Sequence, residues 1–469
     1  MTFIWPQRVL SSSLKAEIRQ LLSLALPVAL VQVGLMAMGV VDTIMVGRVS
    51  ANGLAAVALG NLYYFSVVVS GMGILMALDP VVAQAVGAGD NLGVARGLQR
   101  GLVIAGGLTV PLTLAMLPAS SVLTALHQPA EVVPVAARYV WVCTPGVLPF
   151  LAFVVLRQSL QAMHRTLPIV VTILTANLAN AGLNWVLIFG RLGFPPLGAV
   201  GAACATSISR WLMLGLLLLA GWKSLRPFIA PLRRDALAPR PLARMLRLGL
   251  PIGAQYELEV GAFAAIALLM GLLGTREIAG HQIAINLASL TFMVPLGVSS
   301  AAAVRVGHAV GRGDPRGARR SAAVALLAGS LFMSLTAALF LALPGPLARL
   351  YTGEAGVAAI AAALIPIAGV FQVFDGLQVV SIGALRGMGD TSAPMVVNVL
   401  GFWLIGMPVS IFLAFTRRGG AAGLWWGMVL GLAAVAIFLL ARVRGRLGRE
   451  MPPLAMDEET AEVRMAGKA

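Results

Sequence analysis

The sequence predicts an all-α polytopic membrane protein in which about twelve transmembrane helices form two six-helix lobes related by an internal repeat. Three observations predict this class. Hydrophobic residues make up 59% of the 469 residues and charged residues only 11%, whereas soluble domains carry about 25% charged residues. Apolar runs long enough to cross a bilayer recur along the whole chain. The second half of the sequence also repeats the pattern of the first.

The spanning segments are predicted from apolar runs of about 18 residues or more. A helix satisfies its own backbone hydrogen bonds in lipid, and the short alternating strands of a membrane barrel do not occur in this sequence. With twelve helices, both termini lie on the same side of the membrane. The predicted helices are, in chain order, 18–46, 56–83, 98–118, 132–158, 167–190, 197–222, 243–271, 277–307, 318–343, 355–384, 392–415 and 421–443.

The basic residues indicate that both termini are cytoplasmic. The chain has 34 Lys and Arg against 18 Asp and Glu, a formal net charge of +16. About 26 of the 34 basic residues fall at the termini or in the even-numbered loops, about 7 fall in the odd-numbered loops, and Arg210 lies within helix six. Cytoplasmic loops of membrane proteins carry this excess of positive charge. The charge is therefore explained by topology, and no nucleic-acid partner is expected.

A shift of 224 residues aligns the first two helices of each half without a gap. Pro27 then meets Pro251. The strongest match sets residues 84–90 (Gln-Ala-Val-Gly-Ala-Gly-Asp) on residues 308–314 (His-Ala-Val-Gly-Arg-Gly-Asp). We interpret the glycines of these motifs as tight turns at helix ends. Repeats of six helices are related by an axis along the membrane normal, which predicts a substrate site between the halves near the midplane.

The repeat and the polar stretches between apolar runs predict how the chain is divided into parts. A shift of 225 sets Thr166 on Thr391, after the fourth helix of each half. A stretch rich in Arg and Pro separates the halves and is interpreted as a linker. The N-terminus lacks an apolar core followed by a cleavage site, so a cytoplasmic lead is expected rather than a signal peptide. The predicted parts are a lead at 1–20, an N-lobe at 21–222, a linker at 223–242, a C-lobe at 243–443 and a cytoplasmic tail at 444–469.

The sequence lacks the motifs of an enzyme or of an ATP-driven pump. Its three lysines lie outside any phosphate-binding loop, no His, Cys and carboxylate cluster has metal-enzyme spacing, and no nucleophile elbow occurs. Cys143 and Cys204 lie in apolar segments and indicate neither a disulfide framework nor a metal site. We therefore expect no enzymatic activity and no cofactor. Transport is expected to be passive or driven by an ion gradient, unless a separate subunit supplies the energy.

Two carboxylates, Glu257 and Glu259, lie within the apolar run of helix seven. A charged side chain at the centre of a membrane helix costs about 2.5–3.5 kcal/mol on insertion scales, so such residues face a wet cavity or a partner. The two glutamates are about 200° apart around the helix and cannot both point into one cavity. We expect one of them to function while the other contacts a neighbouring helix or lies near an end.

Three further acids, Asp42, Asp79 and Asp375, lie in predicted helices. A buried carboxyl group can bind a proton or Na⁺ in one state and release it in another, and competition with a lipophilic cation for that group would give antiport. The alternative role for each of these acids is structural, with the carboxylate bonded to the backbone or to an arginine. For Asp79, which is near a helix end, the alternative is that it caps a broken helix. Asn180 and Asn184 share one face of helix five and either join Asp42 in an ion site or bond between helices.

Five motifs carry a family resemblance, and they extend over about residues 20–440. Each motif is weak alone, but together with the six-plus-six repeat they are specific. They resemble the multidrug and toxic compound extrusion (MATE) family, in its NorM-like branch. The motifs lie at residues 41–47, 83–89, 180–190, 280–286 and 385–391.

The resemblance implies a V-shaped, twelve-helix antiporter of the cell inner membrane that expels cationic lipophilic compounds in exchange for H⁺ or Na⁺. Asp42, Asn180 and Asn184 match the family's N-lobe ion and proton site. Glu259 and Asp375 match the C-lobe cation site, with Na⁺ as a candidate ligand of both. Glu259 is chosen over the neighbouring glutamate because it lies eight residues after the helix-seven proline, as in that branch.

One departure from the family pattern bears on the coupling ion. Phe371 stands one turn before Asp375, where some members have Tyr, and the missing hydroxyl removes one oxygen ligand for Na⁺. Phe371, Glu257 and Gln282 are candidate lining residues; Gln282, on helix eight, is the weaker one, with a structural role as the alternative. The expected partners are small cationic drugs, H⁺ or Na⁺ and the lipid bilayer, and we expect a monomer.

Two other functions compete with this interpretation. The first is a flippase for a lipid-linked precursor, of the related superfamily, which would need basic residues in its cavity to hold a pyrophosphate. The intramembrane charges of this chain are mostly acidic, with Arg210 as the one obvious exception. The second is a membrane-embedded enzyme, for which the sequence offers no nucleophile or metal constellation.

Overall fold

The computed structural model describes residues 14–456, so parts of the predicted lead and tail, at 1–13 and 457–469, lie outside the described residues. Within residues 14–456 the chain forms helices and no strand, and twelve of the helices are long and apolar enough to cross a membrane. The predicted fold class is therefore confirmed. The twelve helices are α1 Lys15–Gly47, α2 Ala51–Gly87, α3 Asn91–Met116, α4 Val133–Ala162, α5 Leu167–Phe189, α6 Gly198–Ile229, α7 Pro239–Leu273, α8 Thr275–Gly311, α9 Pro315–Ala342, α10 Ala355–Gly387, α11 Ser392–Thr416 and α12 Gly420–Leu447.

Several helices extend beyond the predicted apolar runs. α3 begins at Asn91 instead of residue 98, and α6 continues to Ile229 instead of residue 222. An apolar run marks the part of a helix that meets lipid, whereas the end turns continue into polar sequence, where helix propensity decides. As a result the non-helical link between α6 and α7 covers only 230–238, with a short 3₁₀ turn at Arg234–Leu237, inside the predicted linker.

Three of the spanning helices are interrupted or change their turn type. α2 breaks at Met76 and Ala77 and resumes with Asp79 in the first turn of the new segment. α4 contains a 3₁₀ turn at Thr144–Gly146. α11 contains wider π-helical turns, including Val399–Gly406. Such turns are frequent beside functional sites because they redirect side chains and free backbone groups.

The described chain divides into two compact units. The C-terminal unit comprises the residues up to Ala29, Asp79–Asp90 and Ala254–Ala455. The N-terminal unit comprises Leu30–Leu78, Asn91–Gly253 and Met456. α1 and α7 therefore each contribute to both units, and each changes unit two residues after its proline. The last residues before the change, Ala29 and Gly253, are 224 positions apart, which is the period of the repeat.

The repeat recurs as equivalent helix contacts inside the units. In the C-terminal unit, Gly297 of α8 lies against the backbone of Ala25 and Ala29 in α1. In the N-terminal unit, Gly73 of α2 lies against Gly253 in α7. Gly73 and Gly297 are themselves 224 residues apart. Small residues let membrane helices approach closely without leaving a gap, so the sequence repeat encodes a repeated helix crossing.

The two repeat motifs at 84–90 and 308–314 pack against each other in the C-terminal unit. A Cβ atom at Gly87 would collide with the carbonyl oxygen of His308, and a Cβ at Gly311 would collide with the carbonyl oxygen of Gln84. The same glycine meets the same partner position in both repeats. The tight turns predicted from the sequence are formed by Gly89 and Gly313, which have φ values of +71° and +69°. Gly87 and Gly311 have a different role, because they allow two helix ends to touch.

Replacement of Gly311 by Leu is expected to lower the free energy of unfolding by about 3 kcal/mol, because a side chain there must displace the backbone of α2. Gly345→Leu is the matched control, since no atom lies within 4 Å of a Cβ built at Gly345 in the same unit. Thermal midpoints of the two purified variants by fluorescence-detected size exclusion check this prediction. Equal midpoints would show that the motif contact does not hold the unit together.

The turn between α4 and α5 lacks the glycine that its counterpart uses. Gly389, after α10, has φ +79°, and the equivalent position after α4 is His164, with φ +58°. Both turns close in the same way, with the N–H of Arg165 donating to Leu160 and the N–H of Asp390 donating to Leu385. The repeated backbone geometry is therefore kept even where the residue is one that rarely adopts it.

The link between α6 and α7 is fixed to α3 by polar contacts. The Gln99 side chain donates to the carbonyl oxygens of Phe228 and Pro231 at 2.9 and 3.1 Å and accepts from the N–H of Arg233 at 2.9 Å. Asp235 bonds to Arg96 at 2.8 Å. Burial raises the pKa of Asp235, but hydrogen bonds and charge from Arg96 and Arg233 outweigh it, so the pKa lies below its usual value.

Candidate functional site

Asp42, Asn180 and Asn184 come together inside the N-terminal unit, together with Thr206 of α6. Asn184 Nδ2 donates to Asp42 Oδ1 at 2.5 Å and approaches Asn180 Oδ1 at 3.1 Å. Thr206 Oγ1 donates to Asp42 Oδ2 at 2.6 Å. We call these four residues the Asp42 site. Asp42 is only 1% exposed and both asparagines are fully buried, so the carboxylate is shielded from solvent and held by three helices.

The Asp42 site keeps unused hydrogen-bonding capacity. The Nδ2 of Asn180 and the Oδ1 of Asn184 are buried and have no hydrogen-bond partner. Buried polar atoms are nearly always satisfied, and an exception in a membrane helix points to a function or a bound species. A proton added to Asp42 would turn one of its oxygens from acceptor to donor, and the free Asn184 oxygen offers an acceptor in the same cluster.

The sequence placed three of the four members of this site and missed Thr206. The asparagines were recognisable because they are one turn apart on one helix. Thr206 lies in Cys-Ala-Thr-Ser, a short stretch of small residues that resembles ordinary helix packing. Its hydroxyl becomes informative only when the fold brings α6 against α1.

Glu259 and Asp375 form a second acidic site, inside the C-terminal unit. The two carboxylates are close enough to interact electrostatically. Asp375 is 8% exposed and Glu259 is half-buried. Neither takes part in a hydrogen bond or an ion pair within residues 14–456. Two acids that share a site without a basic partner repel each other unless a proton or a cation neutralises one of them.

Aromatic rings stand one turn from each of these acids. Phe263 follows Glu259 by four residues and Phe371 precedes Asp375 by four, and the two rings meet edge to face with centroids 6.1 Å apart. Phe371 also packs against Trp425, with centroids 5.8 Å apart. Phe371 is therefore part of an aromatic cluster beside the acid pair and offers no oxygen ligand. Edge-to-face packing of this kind fixes the ring orientations.

His281 and Trp425 belong to the same cluster, and sequence reasoning singled out neither. Their ring centroids are 5.7 Å apart, and both the Nδ1 of His281 and the Nε1 of Trp425 are buried without a hydrogen-bond partner. His281 precedes Gln282 in one of the family-like motifs, which was the available signal. The exposed Gln282 takes part in no hydrogen bond within the described chain. The half-buried Glu257 has a buried Oε2 without a partner.

Asp79 has a structural partner. Its carboxylate bonds to Arg386 of α10 at 3.3 Å, and both side chains are buried, at 2% and 5% exposure. Arg386 also interacts with Tyr256 of α7. All three residues belong to the C-terminal unit. The alternative of a structural acid bonded to arginine therefore describes Asp79, which also lies in the first turn after the break in α2.

Loss of one partner of this buried pair is expected to be strongly destabilising. Arg386→Met leaves the Asp79 carboxylate buried without its countercharge, which lowers the free energy of unfolding by about 3–5 kcal/mol. The double variant Asp79→Asn/Arg386→Met recovers most of that loss because no charge remains buried. Thermal midpoints of the wild type, Asp79→Asn, Arg386→Met and the double variant form a double-mutant cycle, and additive effects in that cycle would contradict the pairing.

Arginines whose side chains are largely shielded within the spanning helices are more numerous than the sequence suggested. Arg157, Arg305 and Arg386 lie within membrane-spanning helices, so Arg210 is not the only intramembrane cation. The three have partners: Arg157 donates to Gln32 at 2.9 Å, and Arg305 bonds to Glu17 at 2.5 Å. The sequence did not indicate these three arginines as intramembrane residues, because each lies toward the end of an apolar run. No three His, Cys, Asp or Glu residues of the described chain are grouped so as to hold a metal ion.

Comparison with known proteins gives this geometry a family. The MatE family model matches residues 27–186 and again 251–412. The two matches begin 224 residues apart (251 − 27), which is the shift that aligns the halves of the sequence. The chain belongs to the MatE family. It is accordingly a multi-pass membrane transporter and not an enzyme.

Curated relatives and solved structures agree with this assignment. The chain is 37% identical over 455 residues to a probable multidrug resistance protein NorM of Mesorhizobium japonicum, covering 94% of this chain and 96% of that protein. It is 34% identical over 437 residues to the multidrug resistance protein MdtK of Edwardsiella ictaluri, covering 91% and 95%. The fold matches the crystal structure of the eukaryotic MATE transporter AtDTX14, with a TM-score of 0.85, 24% identity, and 92% and 96% coverage.

Proposed function

We propose that this MatE family member is a secondary active multidrug efflux antiporter that exports cationic lipophilic compounds in exchange for H⁺ or Na⁺. The observation that carries the proposal is the Glu259–Asp375 pair, two acids that share a site and have no basic partner among the described residues. Such a pair attracts one positive charge at a time. A drug cation and a coupling ion therefore compete for it, and competition for one site couples their movements.

The surroundings of the acid pair suit a lipophilic cation. Phe263 and Phe371, each one turn from one of the acids, pack edge to face against each other. An aromatic face attracts a cation by about 0.5–2 kcal/mol, depending on its desolvation. The names of the curated relatives, multidrug resistance proteins NorM and MdtK, support the same substrate class. Shape and many weak contacts then set specificity.

The Asp42 site is the second part of the proposal. Its carboxylate is buried in a membrane helix and is held by donors whose geometry fits an ion- or proton-binding role. We assign it to binding and release of the coupling ion in the N-terminal unit. The inner membrane is the proposed location, with both termini in the cytoplasm because basic residues concentrate there. We further propose that the protein acts as a monomer.

Transport by reconstituted protein tests this function. Proteoliposomes are loaded with ethidium, and its movement is followed by fluorescence while a pH gradient or a Na⁺ gradient is imposed separately. We expect transport driven by at least one of the two gradients and reversal when that gradient is reversed. Transport that depends on neither gradient would overturn the antiport mechanism, and it would leave the family assignment intact.

A further inference from the structure

Arg210 lies on α6 one turn after Thr206, and therefore on the same face as the hydroxyl that bonds to Asp42. Its guanidinium carbon is 4.0 Å from the centre of the Tyr64 ring and 5.6 Å from that of Phe150. These distances are those of cation–π contacts, which strengthen where water is excluded. The charge is thus held within the N-terminal unit by ring faces.

The fold leaves room for this side chain at a defined place. A Cβ atom built at Gly146 would lie 2.9 Å from Cδ and 3.3 Å from Nη1 of Arg210. Gly146 ends the 3₁₀ turn Thr144–Gly146 that interrupts α4. Any larger residue there would displace the arginine, so the interruption of α4 and its glycine together accommodate Arg210.

Arg210 differs from Arg157, Arg305 and Arg386 in having no polar partner within residues 14–456. It takes part in no hydrogen bond or ion pair within residues 14–456, and its Nη1 is buried without a partner. Arg157, Arg305 and Arg386 each bond to a side chain. A buried charge without a partner is costly and is retained where it acts on something else.

Asp42 is one of the groups with which Arg210 interacts electrostatically. Electrostatic interaction links the guanidinium to Asp42 of α1, Tyr64 of α2, and Tyr139 and Cys143 of α4; Cys204 of α6 interacts with Cys143. The tyrosines and cysteines are ordinarily neutral near pH 7 because their reference pKa values are about 10 and 8.5. α5 contributes the uncharged Asn180 and Asn184. Asp42 is therefore the one partner in this set with an acidic side chain.

We propose that Arg210 is the permanent counter-cation of Asp42 and makes the Asp42 site specific for a proton over Na⁺. This inference rests on the antiport function proposed above and refines its coupling ion. After Asp42 releases its proton, the carboxylate is left beside a fixed positive charge, so release does not have to wait for another cation to enter. Arg210 acts through Asp42 and is a positioning residue.

The donors around Asp42 add to this selectivity. A proton needs one lone pair, whereas a hard metal cation needs several oxygen ligands. Both Asp42 oxygens face donors, Asn184 Nδ2 and Thr206 Oγ1, and a metal ion at either oxygen would meet their hydrogens as well as the charge of Arg210. At an effective dielectric constant of about 20, two like charges within about 10 Å of each other weaken binding by about tenfold or more.

The pH profile of transport tests this role. Ethidium export by proteoliposomes is measured from mildly acidic to mildly alkaline pH, with and without Na⁺, for the wild type, Arg210→Met, Arg210→Gln and Arg210→Lys. Loss of the positive charge makes Asp42 hold its proton more tightly, so proton release requires a higher pH. We expect the neutral variants to move the midpoint upward by about one pH unit, a tenfold change in proton affinity, and to gain stimulation by Na⁺.

Arg210→Lys is expected to keep the wild-type profile, because it keeps the charge. Arg191→Met is the matched control: Arg191 also lies over an aromatic ring of the N-terminal unit, Trp185 at 5.9 Å, but outside the spanning helices. A wild-type profile in folded Arg210→Met and Arg210→Gln would overturn the proposal. If neither neutral variant folds, Arg210→Lys decides: an unchanged profile supports a charge effect, and an upward shift refutes it.

Failure of this inference can be distinguished from failure of the antiport function. Wild-type transport driven by Na⁺ alone would overturn the role of Arg210 and leave antiport standing. Wild-type transport driven by neither gradient would overturn antiport. In that case the protonation of Asp42 is measured directly by infrared spectroscopy of the purified protein. The band of the protonated Asp42 carboxyl is identified by its loss in Asp42→Asn, and it is titrated with pH in wild type and in Arg210→Met. An upward shift of that titration in Arg210→Met supports the pairing, and identical titrations refute it.

Discussion

Asp42→Asn is expected to abolish proton-driven export, with a loss of at least about 100-fold in rate while folded protein is still obtained. Asparagine is close to aspartate in size and can keep a carbonyl oxygen toward Thr206, so the packing of three helices is preserved. It cannot bind and release a proton. Removal of a group that transfers an essential proton typically costs about 10²–10⁴-fold, and Asp42 is the one carboxylate in this buried cluster.

Thr206→Val provides a graded test of the same site. It removes the hydroxyl that donates to Asp42 at 2.6 Å and keeps the shape of the side chain. A hydrogen bond to a charged group contributes about 1.5–3 kcal/mol, so we expect a loss of about tenfold together with a shifted pH profile. Asn177→Leu is the control on α5, because Asn177 bonds to backbone carbonyls of Gly34 and Ile173.

Export rates from proteoliposomes under an imposed pH gradient check both variants. The order expected is wild type and Asn177→Leu together, then Thr206→Val, then Asp42→Asn. If Asp42→Asn transports at the wild-type rate, the coupling ion does not use this carboxylate, and the buried cluster is structural interhelical hydrogen bonding of the kind considered from the sequence.

Neutralisation of the acid pair is the second large effect. Glu259→Gln and Asp375→Asn are each expected to reduce drug-driven ion release by at least about tenfold, since one essential countercharge contributes about 1.4 kcal/mol or more. The same substitutions are expected to raise the thermal midpoint of the purified protein. They remove repulsion between two acids that have no basic partner among the described residues, and functional sites commonly sacrifice stability in this way.

Glu354→Gln is the matched control for the acid pair. Glu354 lies in the same unit, and its pairing with Arg276 at 3.2 Å is exposed, so it contributes little to stability. Ion release is followed with a pH-sensitive dye or with a Na⁺ indicator after addition of ethidium. Normal release from either Glu259→Gln or Asp375→Asn would remove that residue from the coupling mechanism. A lowered thermal midpoint would contradict the repulsion between them.

Much of the fold could be predicted because the membrane imposes simple rules. Every backbone group must be satisfied within a helix, so length and apolarity locate the spans, and the period of 224 gives the symmetry. The ends of helices were predicted poorly, as at Asn91 and Ile229, because polar turns continue a helix without any apolar signal. The exchange of helix ends between units at Ala29 and Gly253 has no local signal beyond the prolines.

Some residues of the candidate sites could be predicted from the sequence and others could not. The acids were visible because an intramembrane charge is rare, and Asn180 and Asn184 were visible because of their spacing. Thr206, His281 and Trp425 were not, since a single threonine, histidine or tryptophan in an apolar helix is common. Asp79 was set apart from the other acids by its place near a helix end, but its partner Arg386, 307 residues away, could not be found from the sequence.

The sequence by itself determined that this chain is a twelve-helix membrane protein with a two-fold repeat and buried acids, because composition and periodicity depend only on local chemistry and on the thickness of the bilayer. The tertiary structure alone decided which charge has a partner. Asp79 pairs with Arg386. Glu259 interacts with Asp375, and neither has a basic partner within residues 14–456. Arg210 interacts with Asp42 and lies one turn after the threonine that bonds to it. Electrostatic energy depends on distance in space, and helices far apart in the chain become neighbours only when it folds.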